Sequence, residues 1–486
     1  MRSGGSPTTV LASPATPPRP GRAAAWAVAG LLSAALLGAS TAFDDRAGIL
    51  LALVLTVGVG IVVRPKLILP ILAASVFVEE VTLGGITISR LLAPLALCVV
   101  LAVALRRRLT IGTSSPLVWV VAYFVWAFAS FSWTINAGDT RFKLASLAIA
   151  LVYLIAFTTL IESVGNLRTV LFAIVAASVL TGVFGLATYA LGISSQLQGG
   201  RPNGGAGDPN FFALYQVIAV PPTLALAVST GRRRARIVFV TAAFILIASI
   251  FVSESRGGLL ALTAVMLLVV VLPARVIFRS RRQKATLLIA LVFAGTFAFA
   301  ATGASVVGRV ESVRTSDPTG SGRLDLWRAG WTSIKDRPVL GLGYGSFSAA
   351  VPQLLHETPG IDFRHIELRP DRASGAHSVY LGTLAELGIP GLIFFLCLLL
   401  TTVRQLIRTG RKAREAGATF VARVANMLLL SLLGWAVAAT FLSTETSRSL
   451  WALIGLALAL PKLIPSEGPG GTATATPARS SHPEIY

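Results

Sequence analysis

Residues 210–275 read NFFALYQVIAVPPTLALAVSTGRRRARIVFVTAAFILIASIFVSESRGGLLALTAVMLLVVVLPAR. Three apolar runs, near 210–229, 235–252 and 257–277, each approach the ~20 residues that cross a bilayer core as a helix. The first connection holds Arg232, Arg233, Arg234 and Arg236, whereas the second holds Arg256 as its single base. Clustered cations mark the cytoplasmic side of a membrane protein, so this stretch bears on both class and orientation.

The same pattern recurs outward in both directions. Further apolar runs lie near 23–41, 47–63, 67–80, 88–105, 116–133, 144–162, 169–192, 285–306, 378–403, 419–441 and 448–464. The expectation is an all-α polytopic membrane protein with about 14 (12–14) transmembrane helices, the spread reflecting the short second and third runs. With the N-terminus inside, the outer connections hold Arg46, Arg90, Arg141 with Lys143, Arg201, and Arg256. The inner ones hold Arg64 with Lys66, Arg106–Arg108, Arg168, the 232–236 and 275–284 clusters, and Arg404 to Arg414. Every cluster falls inside, which fits a multi-pass bacterial inner-membrane protein with both termini cytoplasmic.

Composition agrees. The chain has 486 residues, 54% hydrophobic and 13% charged, with a mean hydropathy of +0.75. Soluble domains carry about 25% charged residues, so lipid is the expected solvent. The net charge of +21 sits mainly in the connections, with no basic face interleaved with aromatics, and nucleic-acid binding is set aside. Cys98 and Cys397 each lie in an apolar run and form no disulfide framework or zinc motif. Asp44-Asp45 and Glu79-Glu80 lack a neighbouring His or third carboxylate, so no metal is expected.

Five segments follow. Residues 1–22 are a disordered cytoplasmic N-terminus, 23–306 hold helices one to eleven, and 307–377 form one large external loop. Residues 378–464 hold the last three helices, and 465–486 are a disordered cytoplasmic tail. Within the loop, Leu324, Trp327, Trp331 and Ile334 have helical spacing and suggest an amphipathic short helix.

Few polar groups on the external face can carry chemistry. Arg201-Pro202-Asn203-Gly204-Gly205-Ala206-Gly207-Asp208-Pro209-Asn210 precedes the eighth helix, and its glycines would let backbone amides approach a ligand; a flexible connection is the alternative. Ser253-Glu254-Ser255-Arg256-Gly257-Gly258 puts a guanidinium at a helix N-terminus, where free amides favour an anion, unless Arg256 merely pairs with Glu254. The loop carries Arg323, Trp327, Pro338, Gly341 and Gly343. Its glycine spacing imitates a dinucleotide fingerprint but lacks the preceding strand, so a turn-rich structural element is expected. Arg364, His365, Arg369 and Arg372 lead to His377, where the chain returns to the membrane. Arginines hold phosphate oxygens bidentately and a His exchanges protons near neutral pH; a solvated loop His is the plainer alternative.

In combination these segments resemble the O-antigen ligase and polymerase family of bacterial membrane glycosyltransferases. The resemblance rests on GRLDLWRAGWTSIKDRPVLGLGYGSF (322–347) followed by HSVYLGTLAELGIPGL (377–392), with GDPNFFA (207–213) and SESRGGLLAL (253–262) in the same order. It covers roughly residues 50–460 and implies a GT-C-like helical bundle. It further implies transfer of a glycan from an undecaprenyl-diphosphate-linked donor to a glycan or glycolipid acceptor, with neither metal nor cofactor. Carried onto this chain, Arg256 matches the diphosphate-binding Arg before Gly-Gly, and His377 matches the catalytic loop His. Arg201 matches the Arg ahead of Pro-Asn, and Arg364, Arg369 and Arg372 are weaker matches by position. Other polysaccharide-assembly proteins are candidate partners beside membrane lipid. Many members read His-Asn where this chain has His377-Ser378, which puts an acceptor contact there in doubt. Ligase and polymerase both remain open. A transporter or flippase is the runner-up, although charged groups other than Glu386 and Arg423 are not expected inside the bundle. A non-catalytic scaffold is the third reading.

Overall fold

The computed structural model describes residues 65–79, 81–83, 86–106, 114–273, parts of 276–296, 323–359 and 375–465. The expected spans at 23–41 and 47–63, most of 285–306, both termini, and Arg364, Arg369 and Arg372 lie outside the described residues. The chain divides into two compact units, Met1–Ile68 with Leu83–Gly85, and Leu69–Thr82 with Ile86–Tyr486. Of the first, only residues 65–68 and 83 are described.

The second unit is helical. Its elements are α1 (Ile68–Ser75, entered from the first unit), α2 (Ile88–Arg106), α3 (Ser115–Ala129), α4 (Ala137–Leu160) and α5 (Val164–Ala190). Then follow α6 (Pro209–Ser229), α7 (Arg233–Val252), α8 (Arg256–Val271), α9 (Arg323–Asp336) and α10 (Phe347–Glu357). The last are α11 (Val379–Glu415), α12 (Thr419–Ala438) and α13 (Arg448–Ala459). Among the described residues, 8 helices are long and apolar enough to cross a membrane: α2 to α7, α11 and α12, with α3 and α12 carried a few residues further by their end turns.

With no water in a bilayer core, freed backbone groups need partners inside the protein. Side chains supply them at the helix starts. Asn136 accepts from the Gly138 and Asp139 amides, Asp208 from Asn210 and Phe211, Ser255 from Gly258, and Ser378 from Leu381. The central helix is α6, whose apolar window is 94% buried although Pro221 and Pro222 interrupt its ladder. A proline cannot donate to the carbonyl four residues back. The Ser431 hydroxyl of α12 donates instead to the Ile218 carbonyl that Pro222 leaves free, at 2.8 Å.

α11 breaks at Gly388 (φ 65°, ψ −171°), and the loop glycines fill the break. The Leu342 and Gly343 amides donate to the Ala385 and Glu386 carbonyls, each at 2.9 Å, and the Ile389 amide donates to Pro338 O at 2.8 Å. Trp126 Nε1 donates to the Leu387 carbonyl at 2.8 Å. The approach leaves no room for side chains. A Cβ on Gly341 would lie 2.5 Å from the Glu386 carbonyl, and one on Gly388 would overlap the Val339 carbonyl. The Pro338–Gly343 motif is therefore a latch between loop and helix.

Residues 323–336 form the expected helix, but its buried face differs from the expected stripe. Leu326, Ala329 and Ile334 join Leu342, Phe347, Val351 and Leu355 in a small loop core. Leu324 and Trp331 are exposed (45% and 53%). Helix spacing marks four apolar positions, but the small residues Ala329 and Gly330 let the opposite side approach the bundle. Charged groups are also more buried than expected. Beside Glu386, Lys143, Glu445, Glu79 and Arg448 are buried or nearly so, and Arg448 pairs with Glu79.

Candidate functional site

The turn between α5 and α6 and the turn between α7 and α8 meet in one corner. Arg201 donates from Nε to the Ser253 carbonyl at 2.8 Å and from a terminal nitrogen to Asn210 Oδ1 at 3.1 Å. Ser255 Oγ donates to the same Asn210 oxygen at 2.9 Å while accepting from the Gly258 amide at 3.2 Å. A guanidinium, an amide and a hydroxyl thus fix the N-terminus of α8. Gly258 belongs to this closure, because a Cβ there would sit 2.5 Å from Ala213 Cβ.

Arg256 occupies the first turn of α8. It is half-buried and forms no hydrogen bond or ion pair among the described residues. Glu254 does not hold it. A partly buried guanidinium left unpaired beside unsatisfied helix amides is costly unless an anion completes it. Arg201 is in the same corner but braces it through protein contacts.

His377 is tied to this corner through a relay of contacts. A Cβ on Gly257 would meet Phe441 at 3.3 Å, and Phe441 stacks on Trp327 with centroids 6.4 Å apart. Trp327 Nε1 donates to the Ala376 carbonyl at 3.0 Å, fixing the residue before His377. His377 itself has φ 47°, and Glu254 has φ 50°; among the described residues they are the non-glycine positions with positive φ. Such strain persists only where surrounding structure imposes it, and one instance stands in the α7–α8 turn and the other in the turn before α11. Crowding by protein and the Arg323 guanidinium push the imidazole pKa below its ordinary 6.5, against an opposing pull from the Asp208 carboxylate. His377 is therefore a neutral imidazole, able to accept a proton, at neutral pH.

Beside this turn runs an apolar groove of about 770 Å³, lined by Leu324, Trp327, Trp331, Tyr380, Leu381 and Leu384, with Ser378 at its wall. Arg328 and Lys335 supply its cations. This explains why Leu324 and Trp331 stay exposed. Among the described residues no group of three His, Cys, Asp or Glu side chains comes together as a metal site.

The structure thus connects Arg201, Arg256, Arg323, Trp327 and His377, and places Pro338, Gly341 and Gly343 in the latch. Phe441 joins them without being expected from sequence, and Asp208 and Asn210, which lie in the GDPNFFA segment, join them in roles that the segment did not announce. Asp208 before Pro209 carries an N-cap signature that signals a helix start, but nothing in it signals a His across the fold.

Fold and site define a class: a multi-span helical membrane protein in which an Arg at a helix N-terminus is linked through packed aromatics to a loop His. The family model described as O-Antigen ligase matches residues 241–396, from within α7 through the first part of α11. The match includes Arg256, the latch and His377, and it supports the O-antigen ligase-like family for this chain. No curated protein matches it.

Proposed function

We propose that the protein is a membrane glycosyltransferase that moves a glycan from an undecaprenyl-diphosphate carrier to an acceptor sugar, as ligase or polymerase, on the outer face of the inner membrane. The bundle is taken to have about fourteen crossings with both termini cytoplasmic. The observation that carries the reading is Arg256 at the α8 N-terminus, without a partner among the described residues, in a corner linked to His377 through Phe441 and Trp327.

In the proposed step, the acceptor hydroxyl loses its proton to the neutral imidazole as its oxygen attacks the anomeric carbon. The bond from that carbon to the diphosphate oxygen breaks with inversion, and its electron pair leaves with the lipid diphosphate. Arg256 and the α8 amides stabilise the charge developing on the leaving group. The groove beside Ser378 offers the carrier an apolar wall, and Arg328 and Lys335 offer it cations. Arg364 and Arg372 are proposed as further diphosphate ligands from the loop.

Arg256→Ala is expected to lower transfer roughly 10²–10³-fold, the range for losing one charge-stabilising donor. Cells deleted for the gene should accumulate lipid-linked glycan, and the variant, at normal membrane levels, should not restore the attached or lengthened product. An unchanged profile on deletion, or full complementation by Arg256→Ala, overturns the reading. Trp327→Phe keeps the stack on Phe441 but loses the hydrogen bond to Ala376. It should cost roughly 1 kcal/mol of positioning, or about fivefold in rate, at unchanged protein level; a wild-type rate would show that Trp327 does not position His377.

A further inference from the structure

Gly375 and Ala376, just before His377, line a second and chemically different cavity of about 260 Å³. Its wall carries Lys143, Glu386, Glu445 and Asp139. Lys143 Nζ is shared between Glu386 at 2.6 Å and Glu445 at 2.5 Å. The other Glu445 oxygen, Oε2, is buried and has no hydrogen-bond partner among the described residues, although Glu445 is only 3% exposed. The hydroxyls of Ser348, Ser443 and Thr446 also line the cavity and form no hydrogen bond among the described residues.

An unpaired buried carboxylate oxygen needs a donor. Among the described residues three carboxylates face one ammonium in this cavity, which makes its wall electronegative and disfavours an anion. The volume lies just below the ~300 Å³ at which small-molecule clefts begin, so one ring-sized ligand fits better than a chain. Hydroxyls that both donate and accept, beside carboxylates that only accept, suit a polyol.

We propose that this cavity is the acceptor-sugar subsite, and that it takes a neutral or amine-bearing sugar ring and rejects an acidic one. The assignment to the acceptor rests on the function proposed above. The groove that Ser378 lines is apolar and suits a lipid carrier, whereas the cavity that Gly375 and Ala376 line is polar, so one turn carrying His377 borders both. A sugar hydroxyl held there needs no lipid anchor to reach that turn.

The test is saturation-transfer NMR on the purified full chain in nanodiscs, with N-acetylglucosamine, galactosamine and glucuronate as probes and no donor present. The neutral and amino sugars should show saturation, and glucuronate should bind at least roughly tenfold more weakly, as like charges require. Ser348→Trp puts bulk into the cavity without removing a buried charge and should abolish the signal with thermal unfolding unchanged. Glu445→Gln should weaken it. No sugar signal in wild type, equal binding of glucuronate, or a signal that survives Ser348→Trp overturns the subsite. Because this arm needs no catalysis, it fails independently of the transferase reading. In a transfer assay, Ser348→Trp should raise KM for the acceptor and leave KM for the lipid-linked donor unchanged; the reverse overturns the acceptor assignment.

Discussion

A His377→Ala protein should reach the membrane at wild-type level and transfer glycan roughly 10²–10⁴-fold more slowly, the range for losing a general base. The side chain reaches the surface of its turn and joins no core cluster, so the loss should not fall on folding. The wild-type pH profile should carry the same residue's signature. The surrounding protein and Arg323 lower the pKa of His377, so the neutral form that accepts a proton is already dominant below the usual 6.5. Activity should therefore rise with pH to a plateau, with its half-maximal point on the acid side of 6.5. Arg323→Gln removes a positive charge that disfavours imidazolium, so it should move that point toward higher pH. Measurement of kcat/KM across pH in wild type and both variants checks this. A flat profile, or a His377→Ala protein at the wild-type rate, would remove the imidazole from the mechanism.

The second large effect is structural. Gly388→Ala places a Cβ in the left-handed region and against the Val339 carbonyl of the latch. Strain in this nearly glycine-only conformation (φ 65°, ψ −171°) costs about 1–3 kcal/mol and overpacking typically adds ~1–3, so a loss of about 2–6 kcal/mol is expected. Gly417 supplies the control, because it has φ 71° but a Cβ there would meet nothing within 4 Å. Gly417→Ala should show only the strain. Thermal unfolding in detergent should rank wild type above Gly417→Ala and that well above Gly388→Ala. Equal losses in the two variants would mean that the loop does not seat against the α11 break.

How far residues announce such structure depends on whether their role is local. Membrane helices are legible because hydrophobic runs and clustered arginines act within one segment and its flanks. The start of α8 is legible for the same reason, since Ser255 caps its own helix. The latch is half legible. Gly341 and Gly343 mark turns, but their partner, the interruption of α11 at Gly388, sits inside a run that reads as one continuous helix. Lys143, Glu386 and Glu445 come from α4, α11 and the turn before α13, and only the fold brings them together. The exposed face of α9 escapes a sequence reading because periodicity finds apolar positions but does not say whether protein or a ligand covers them. Trp327 is legible as a motif residue, while its hydrogen bond to Ala376 is not.

The most direct measurement of the transferase reading uses purified protein in nanodiscs with the lipid-linked glycan that accumulates in deleted cells and an added acceptor. Release of undecaprenyl diphosphate and appearance of the joined glycan are followed together. The expected result is stoichiometric formation of both by wild type, lost in Arg256→Ala and His377→Ala proteins. Movement of intact lipid-linked glycan across the bilayer, without release of the lipid diphosphate, would contradict it and make the protein a transporter.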